Sequence, residues 1–293
     1  MNTAYTVGYR ALEVDDPEQG VRLPAAVLYP AHAPAQTERF GPYALELASG
    51  ADVAAGPPKP LVVLSHGNNG SPWTHRALAA HLAQAGFVVA LVEHLGNSRS
   101  DGSLTGTVAN LQNRPRHVRL TIDAVERAMG STVDVTRTGI VGHSIGAYTA
   151  LAVAGGKASC APNEAPDGVP FALPVVKADS RVRSLVLLAP AAGWFWADGS
   201  LADVHLPILL ESGELDDLAP DMHAQVILRG VPDRAQVDHR IVAGAGHFSF
   251  QTPFPPAMVR PDFPPSQDPP GFDRAAFQPI LHRDIEAFFR ATL

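Results

Sequence analysis

Gly139-Ile140-Val141-Gly142-His143-Ser144-Ile145-Gly146, continuing into Ala147-Tyr148-Thr149-Ala150-Leu151-Ala152-Val153, is the stretch on which the reading of this chain turns. Gly139 to Val141 reads as a strand and Ala147 to Val153 as a helix, with a G-x-S-x-G elbow between them. A serine at such an elbow takes a strained backbone conformation. The flanking glycines are required because there is no room for Cβ atoms two positions away. The motif alone can arise by chance in a chain with 25 glycines, so the surrounding sequence has to decide.

Outward from the elbow, short runs rich in Val, Ile and Leu recur at Leu23 to Tyr29, Leu61 to Leu64, Phe87 to Val92, Leu185 to Ala189 and Ile208 to Leu210. Such runs suit strands buried on both faces of a sheet. Helical patterns lie between them. Ser71-Pro72 is an N-cap followed by Pro in the first turn, opening a helix from Trp73 to Ala85. From Arg116 to Met129, Val118, Ile122, Val125 and Met129 share one face, and Gly130 closes the segment. Strand and helix in alternation from about Leu61 onward predict a mostly parallel sheet with helices on both faces. The first two strands, before Pro30, are expected to pair antiparallel at one edge. Two segments break the rhythm, Gly155 to Ser180 and the proline-laden Pro253 to Gly271, which precedes a final helix near Phe272 to Arg290. Irregular segments of this length often serve as site-covering loops or lids. With 293 residues and 46% hydrophobic composition, the chain is expected to form one domain, residues 1–293.

A serine hydroxyl is a weak nucleophile at neutral pH, so Ser144 needs a base within hydrogen-bond reach and a carboxylate to hold that base in the right tautomer. Arg240-Ile241-Val242 reads as a last strand. The small-residue turn Ala243 to Gly246 then presents His247, the expected base. Acids follow the strand at Pro207 to Leu210: Glu211, Glu214, Asp216 and Asp217, of which Asp216 is the choice. The chain order Ser144, Asp216, His247 is that of α/β hydrolases. An oxyanion needs two N–H donors, expected from Ile145 after the nucleophile and from Asn68 in the loop Ser65-His66-Gly67-Asn68-Asn69-Gly70.

Leu64 to Gly67 (LSHG), Gly86 to His94 (GFVVALVEH), GHSIGA around Ser144 and GAGHF around His247 resemble the dienelactone hydrolase-like and platelet-activating factor acetylhydrolase-like branch of the α/β hydrolases. The tail Pro269-Pro270-Gly271-Phe272-Asp273-Arg274 resembles bacterial members of the same branch. The resemblance implies the α/β-hydrolase fold and esterase-like activity, and its spacing supports Asp216. Two departures stand out. The true dienelactone hydrolases carry cysteine where this chain has Ser144, so dienelactone is not implied as substrate. The acetylhydrolases carry their acid after the strand that follows the elbow helix, yet Leu187-Leu188-Ala189-Pro190 holds no carboxylate.

The expected reaction is acyl transfer from a small-molecule ester to water. An acyltransferase or serine peptidase using the same residues, or a non-catalytic binding protein of this fold, are the rivals. Trp194, Trp196 and Phe248 are candidates to line an acyl pocket. His66 and His143 flank the site and are expected to support it structurally. His75, His81, His94, His117 and His239 show no metal-ligand spacing, and Cys160 is the sole cysteine, so neither a metal nor a cofactor is expected. A net charge of −7 argues against nucleic acid as a partner. Met1 to Arg10 lack the basic start and apolar run of a secretory signal, and no transmembrane segment is apparent. The expectation is a cytoplasmic protein, or a secreted or periplasmic one if a signal peptide has been removed.

Overall fold

The computed structural model describes residues 5–293; Met1 to Ala4, part of the stretch read for a signal, lie outside the described residues. The strands are β1 (Thr6–Asp16), β2 (Val21–Ala31), β3 (Gln36–Phe40), β4 (Tyr43–Ser49), β5 (Lys59–Ser65), β6 (Val88–Val92), β7 (Val133–His143), β8 (Val182–Leu188), β9 (Ile208–Gly213) and β10 (Val237–Val242). They form one sheet in the order β10-β9-β8-β7-β5-β6-β2-β1-β4-β3. From β10 to β6 every neighbouring pair is parallel. Both faces of this half are covered, which is why Leu61 to Leu64 and Val88 to Val92 are continuous apolar runs, all buried.

Helix α1 (Arg76–Gln84) and helix α5 (Arg274–Thr292) cover one face, packing Leu78, Leu82, Leu281, Ile285 and Phe289 against Val62, Val89 and Val141. The other face carries α2 (Val108–Met129), α3 (Ile145–Val153) and α4 (Met222–Gly230). Their Val118, Ile122, Leu151 and Ile227 meet Val63, Ile140, Leu187 and Leu210.

The expected antiparallel pairing of β1 with β2 is present, but the pair does not lie at the edge of the sheet. The β3–β4 hairpin, turning at Gly41-Pro42 with Gly41 at φ +58, extends the sheet beyond β1. The helix expected from Trp73 is divided into a 3-10 turn at Pro72–His75 and α1. Its cap is as expected, with Ser71 Oγ accepting the Trp73 N–H at 3.2 Å and Thr74 Oγ1 accepting the Ser71 N–H at 3.1 Å. Helix α2 begins at Val108 rather than Arg116, because Pro115 is accommodated inside it. Proline removes the N–H that would bond Leu111 C=O. The Tyr148 hydroxyl of α3 donates to that carbonyl instead, at 2.9 Å.

The order of strands reverses at β5, with β6 on one side and β7 on the other; in open α/β sheets, sites lie outside the carboxyl ends of the strands at such a point. No helix among the described residues is long and apolar enough to cross a membrane.

Candidate active site

Ser144 directly follows β7, at its carboxyl end, with φ +57 and ψ −123, a backbone region that L-residues avoid at a cost of roughly 1–3 kcal/mol. Its surroundings hold it there. Its N–H donates to Leu188 C=O at 3.0 Å, and its C=O accepts the N–H groups of Ala147 at 2.9 Å and Ala191 at 3.1 Å. The glycines are required as the sequence predicts. A Cβ on Gly142 would lie 2.2 Å from Gly146 O, and one on Gly146 would lie 2.1 Å from Ser65 O.

His247 lies in the turn after β10, and its Nε2 is 2.9 Å from Ser144 Oγ. Its Nδ1 faces Asp216, 3.0 Å from Oδ1 and 2.9 Å from Oδ2. An ionised carboxylate only accepts, so Nδ1 carries the proton and Nε2 is left with a lone pair that faces the Ser144 hydroxyl. Asp216 is buried, and burial raises a carboxyl pKa. The hydrogen bond and charge of His247, with the N–H groups of Ala219 and Leu218, outweigh burial and hold it below the ordinary carboxylate range.

The other acids considered from sequence are placed elsewhere. Glu211 is buried within β9, where burial pushes its pKa up to about 7 against the opposing pull of Arg240, 3.9 Å away. Glu214 accepts the Gly244 N–H at 2.8 Å, and Asp217 is exposed.

Ile145 is the first residue of α3, so its N–H belongs to the helix end that has no intrahelical acceptor. Asn68 lies in the loop after β5, which passes directly beside Ser144: a Cβ on Gly67 would lie 3.2 Å from Ser144 Cβ. Among the described residues, neither the Asn68 nor the Ile145 N–H donates to another group.

Of the aromatic candidates, Phe248 is beside His247, edge-on at 5.1 Å between ring centroids. Trp194 packs on Tyr148 at 4.9 Å and donates its indole N–H to Glu164 of the Gly155–Ser180 segment at 2.8 Å. Trp196 is exposed, with the Arg229 guanidinium 5.7 Å over its ring.

Much of the surrounding polar structure is directed at the site. His143 Nε2 donates to His247 C=O at 3.0 Å, fixing the turn that presents the imidazole, and burial keeps the His143 ring well below its ordinary pKa and so neutral. His66 Nδ1 donates to Gly67 C=O at 2.8 Å, and its Nε2 accepts the His94 N–H at 3.2 Å. Both histidines thus support the site, in keeping with their sequence reading. His223 had no sequence signal. It accepts the Ala192 N–H at 3.1 Å in the loop after β8, half-buried beside the site.

Residues 56–197 match the family model described as "Serine aminopeptidase, S33", a span that includes Asn68, Ser144 and Ile145 and ends before Asp216 and His247. No curated protein is significantly similar to the chain in sequence. Among solved structures, it is similar to a ferulic acid esterase from Streptomyces cinnamoneus, with a TM-score of 0.67, 21% identity and coverage of 100% of this chain and 91% of the other. It is also similar to a dienelactone hydrolase-like promiscuous phosphotriesterase from metagenomic libraries, with a TM-score of 0.65, 15% identity and coverage of 98% and 99%. By its sheet order and its likeness to these solved structures, the chain has the α/β-hydrolase fold.

Proposed function

We propose that this protein is a serine hydrolase that cleaves carboxylic esters through an acyl-enzyme intermediate, with residues 1–293 acting as one domain. The observation that carries the reading is the unbroken hydrogen-bond chain from Ser144 Oγ through His247 to the buried Asp216 carboxylate.

In this reading Ser144 Oγ attacks the ester carbonyl while His247 Nε2 takes its proton. The imidazolium that forms is stabilised by Asp216, and it passes the proton to the departing alcohol. Water, deprotonated by the same nitrogen, then attacks the acyl group and releases the acid. The N–H groups of Ile145 and Asn68 receive the negative charge on the carbonyl oxygen at each tetrahedral stage, a contribution worth roughly 10²–10³ in rate per donor. Phe248, next to His247, is the aromatic group best placed to meet an apolar acyl chain, with Trp194 farther back. The ester-cleaving neighbour among solved structures is in keeping with this chemistry.

The aminopeptidase description of the matching family model favours a second reading, hydrolysis of a short peptide by the same three residues.

Hydrolysis of p-nitrophenyl acetate, butyrate and octanoate, set against aminoacyl p-nitroanilides, separates the two readings. Turnover of the esters is expected, and Ser144→Ala and His247→Ala should each lower kcat by roughly 10⁴–10⁶. Ester turnover that survives both substitutions would overturn the proposal, and turnover confined to the anilides would replace it with the peptidase reading.

A further inference from the structure

Arg114 has 0% of its surface exposed, and among the described residues no carboxylate lies within ion-pair distance of it. A buried guanidinium without a counter-charge is costly, and burial pushes its pKa down to about 9, which still leaves it charged at neutral pH. Its donors go to four neutral acceptors. Nε donates to Thr149 Oγ1 of α3 at 3.0 Å, Nη1 to Asn97 Oδ1 at 2.7 Å, and Nη2 to Ser65 Oγ of β5 at 3.4 Å and to the carbonyl of His66. One planar fork thereby ties α2 to the strand before the Asn68 loop, to the loop itself and to the helix that follows the nucleophile.

Asn97 continues the connection. It is fully buried. Because its Oδ1 faces a group that can only donate, its amide orientation is fixed. Its Nδ2 donates to Asn68 Oδ1 at 2.6 Å and to Thr105 Oγ1 at 3.0 Å. Thr105 Oγ1 in turn donates to Asn69 Oδ1 at 2.8 Å, and the Arg99 N–H donates to Gly70 C=O at 2.6 Å. Asn69 takes the left-handed backbone region at φ +49, and its side chain is held there by the Thr105 hydroxyl. Asn68 and His66 are therefore each anchored, directly or through one amide, to the same buried cation.

We propose that Arg114 is a positioning residue for oxyanion binding: with Asn97, it fixes the His66–Gly70 loop so that the Asn68 N–H stays aimed at the carbonyl oxygen bound over Ser144. The inference rests on the reading of Ser144 as nucleophile. Arginine is required for its geometry, because the three donors of a lysine radiate from one point and cannot reach Thr149, Asn97 and His66 together. The loop's task is demanding, since a displacement of about 1 Å can cost roughly 100-fold in rate.

The test compares wild-type protein with Arg114→Lys and Asn97→Ala, using p-nitrophenyl butyrate turnover, thermal midpoints, and inhibition by an alkyl trifluoromethyl ketone, whose serine adduct places an oxyanion in the hole. Both variants should lower kcat roughly 10- to 100-fold with KM within about twofold, and weaken the ketone by a similar factor. A merely structural role would lower the thermal midpoint and leave kcat of the folded protein and ketone affinity in place, which would overturn the proposal. Should Arg114→Lys fail to fold, Asn97→Ala decides alone, because it cuts the link to Asn68 without removing the cation. If the wild-type protein turns over no ester, the reading of function fails separately. The comparison is then read from the rate of fluorophosphonate labelling of Ser144, which uses the same hole, and equal rates in all three proteins would overturn the inference.

Discussion

Lowering the pH should destabilise this protein well above the range where its carboxylates are protonated, because its interior holds several histidines that cannot charge in place. His66 and His117 are held down to about 3 and His75 and His282 to about 4, chiefly by burial, and His94 and His143 also lie well below their ordinary value. For His66 and His94 the nearby Arg114 charge adds to the effect of burial, while at His117 burial prevails over the opposing pull of Asp16, 3.5 Å away. A folded pKa below the unfolded one means that the unfolded chain binds the extra protons. The stabilisation is therefore whole above about pH 6.5 and is lost as the pH falls from there toward 4. Between pH 7.5 and pH 5 each such histidine withdraws on the order of 2 kcal/mol. Several acting together match a typical total stability of about 5–15 kcal/mol. Urea titrations followed by tryptophan fluorescence at pH 7.5, 6.0 and 5.0 should show the midpoint falling as the pH is lowered. A midpoint at pH 5.0 equal to that at pH 7.5 would refute the reasoning and mean that these rings find partners for their protons.

Two further predictions concern single groups. Asp216→Asn keeps the shape but lets an amide donate toward His247, favouring the wrong tautomer, so ester turnover should fall by roughly 10⁴ with little change in stability; a loss under tenfold would remove Asp216 from the mechanism. Tyr148→Phe strips the hydroxyl that serves the Leu111 carbonyl freed by Pro115, and urea unfolding should show a loss of about 1–3 kcal/mol, whereas no loss would mean that the carbonyl finds another donor.

The features legible in the sequence were those set by local rules. Buried strands announce themselves as Val-, Ile- and Leu-rich runs, and the elbow at Ser144 by its glycines, because there the steric requirement acts within a few residues. The β3–β4 hairpin was not legible, since its strand Gln36-Thr37-Glu38-Arg39-Phe40 is largely polar and lies outside the doubly covered half of the sheet. Neither was the true start of α2. Pro115 reads as a helix boundary until the Tyr148 hydroxyl, from a different helix, is seen to take the orphaned carbonyl. The residues brought together by long-range folding were the least visible. Arg114 reads as an ordinary helix arginine, and its contacts to Ser65, Asn97 and Thr149 have no sequence pattern that could announce them.

The central claim is that Ser144 is a nucleophile activated by His247, and the most direct measurement is to treat the protein with a fluorophosphonate and locate the adduct by peptide mass spectrometry. A single adduct on Ser144, absent from Ser144→Ala and formed far more slowly in His247→Ala, is the predicted result. Folded protein that remains unlabelled, or that carries the adduct on another residue, would contradict the account.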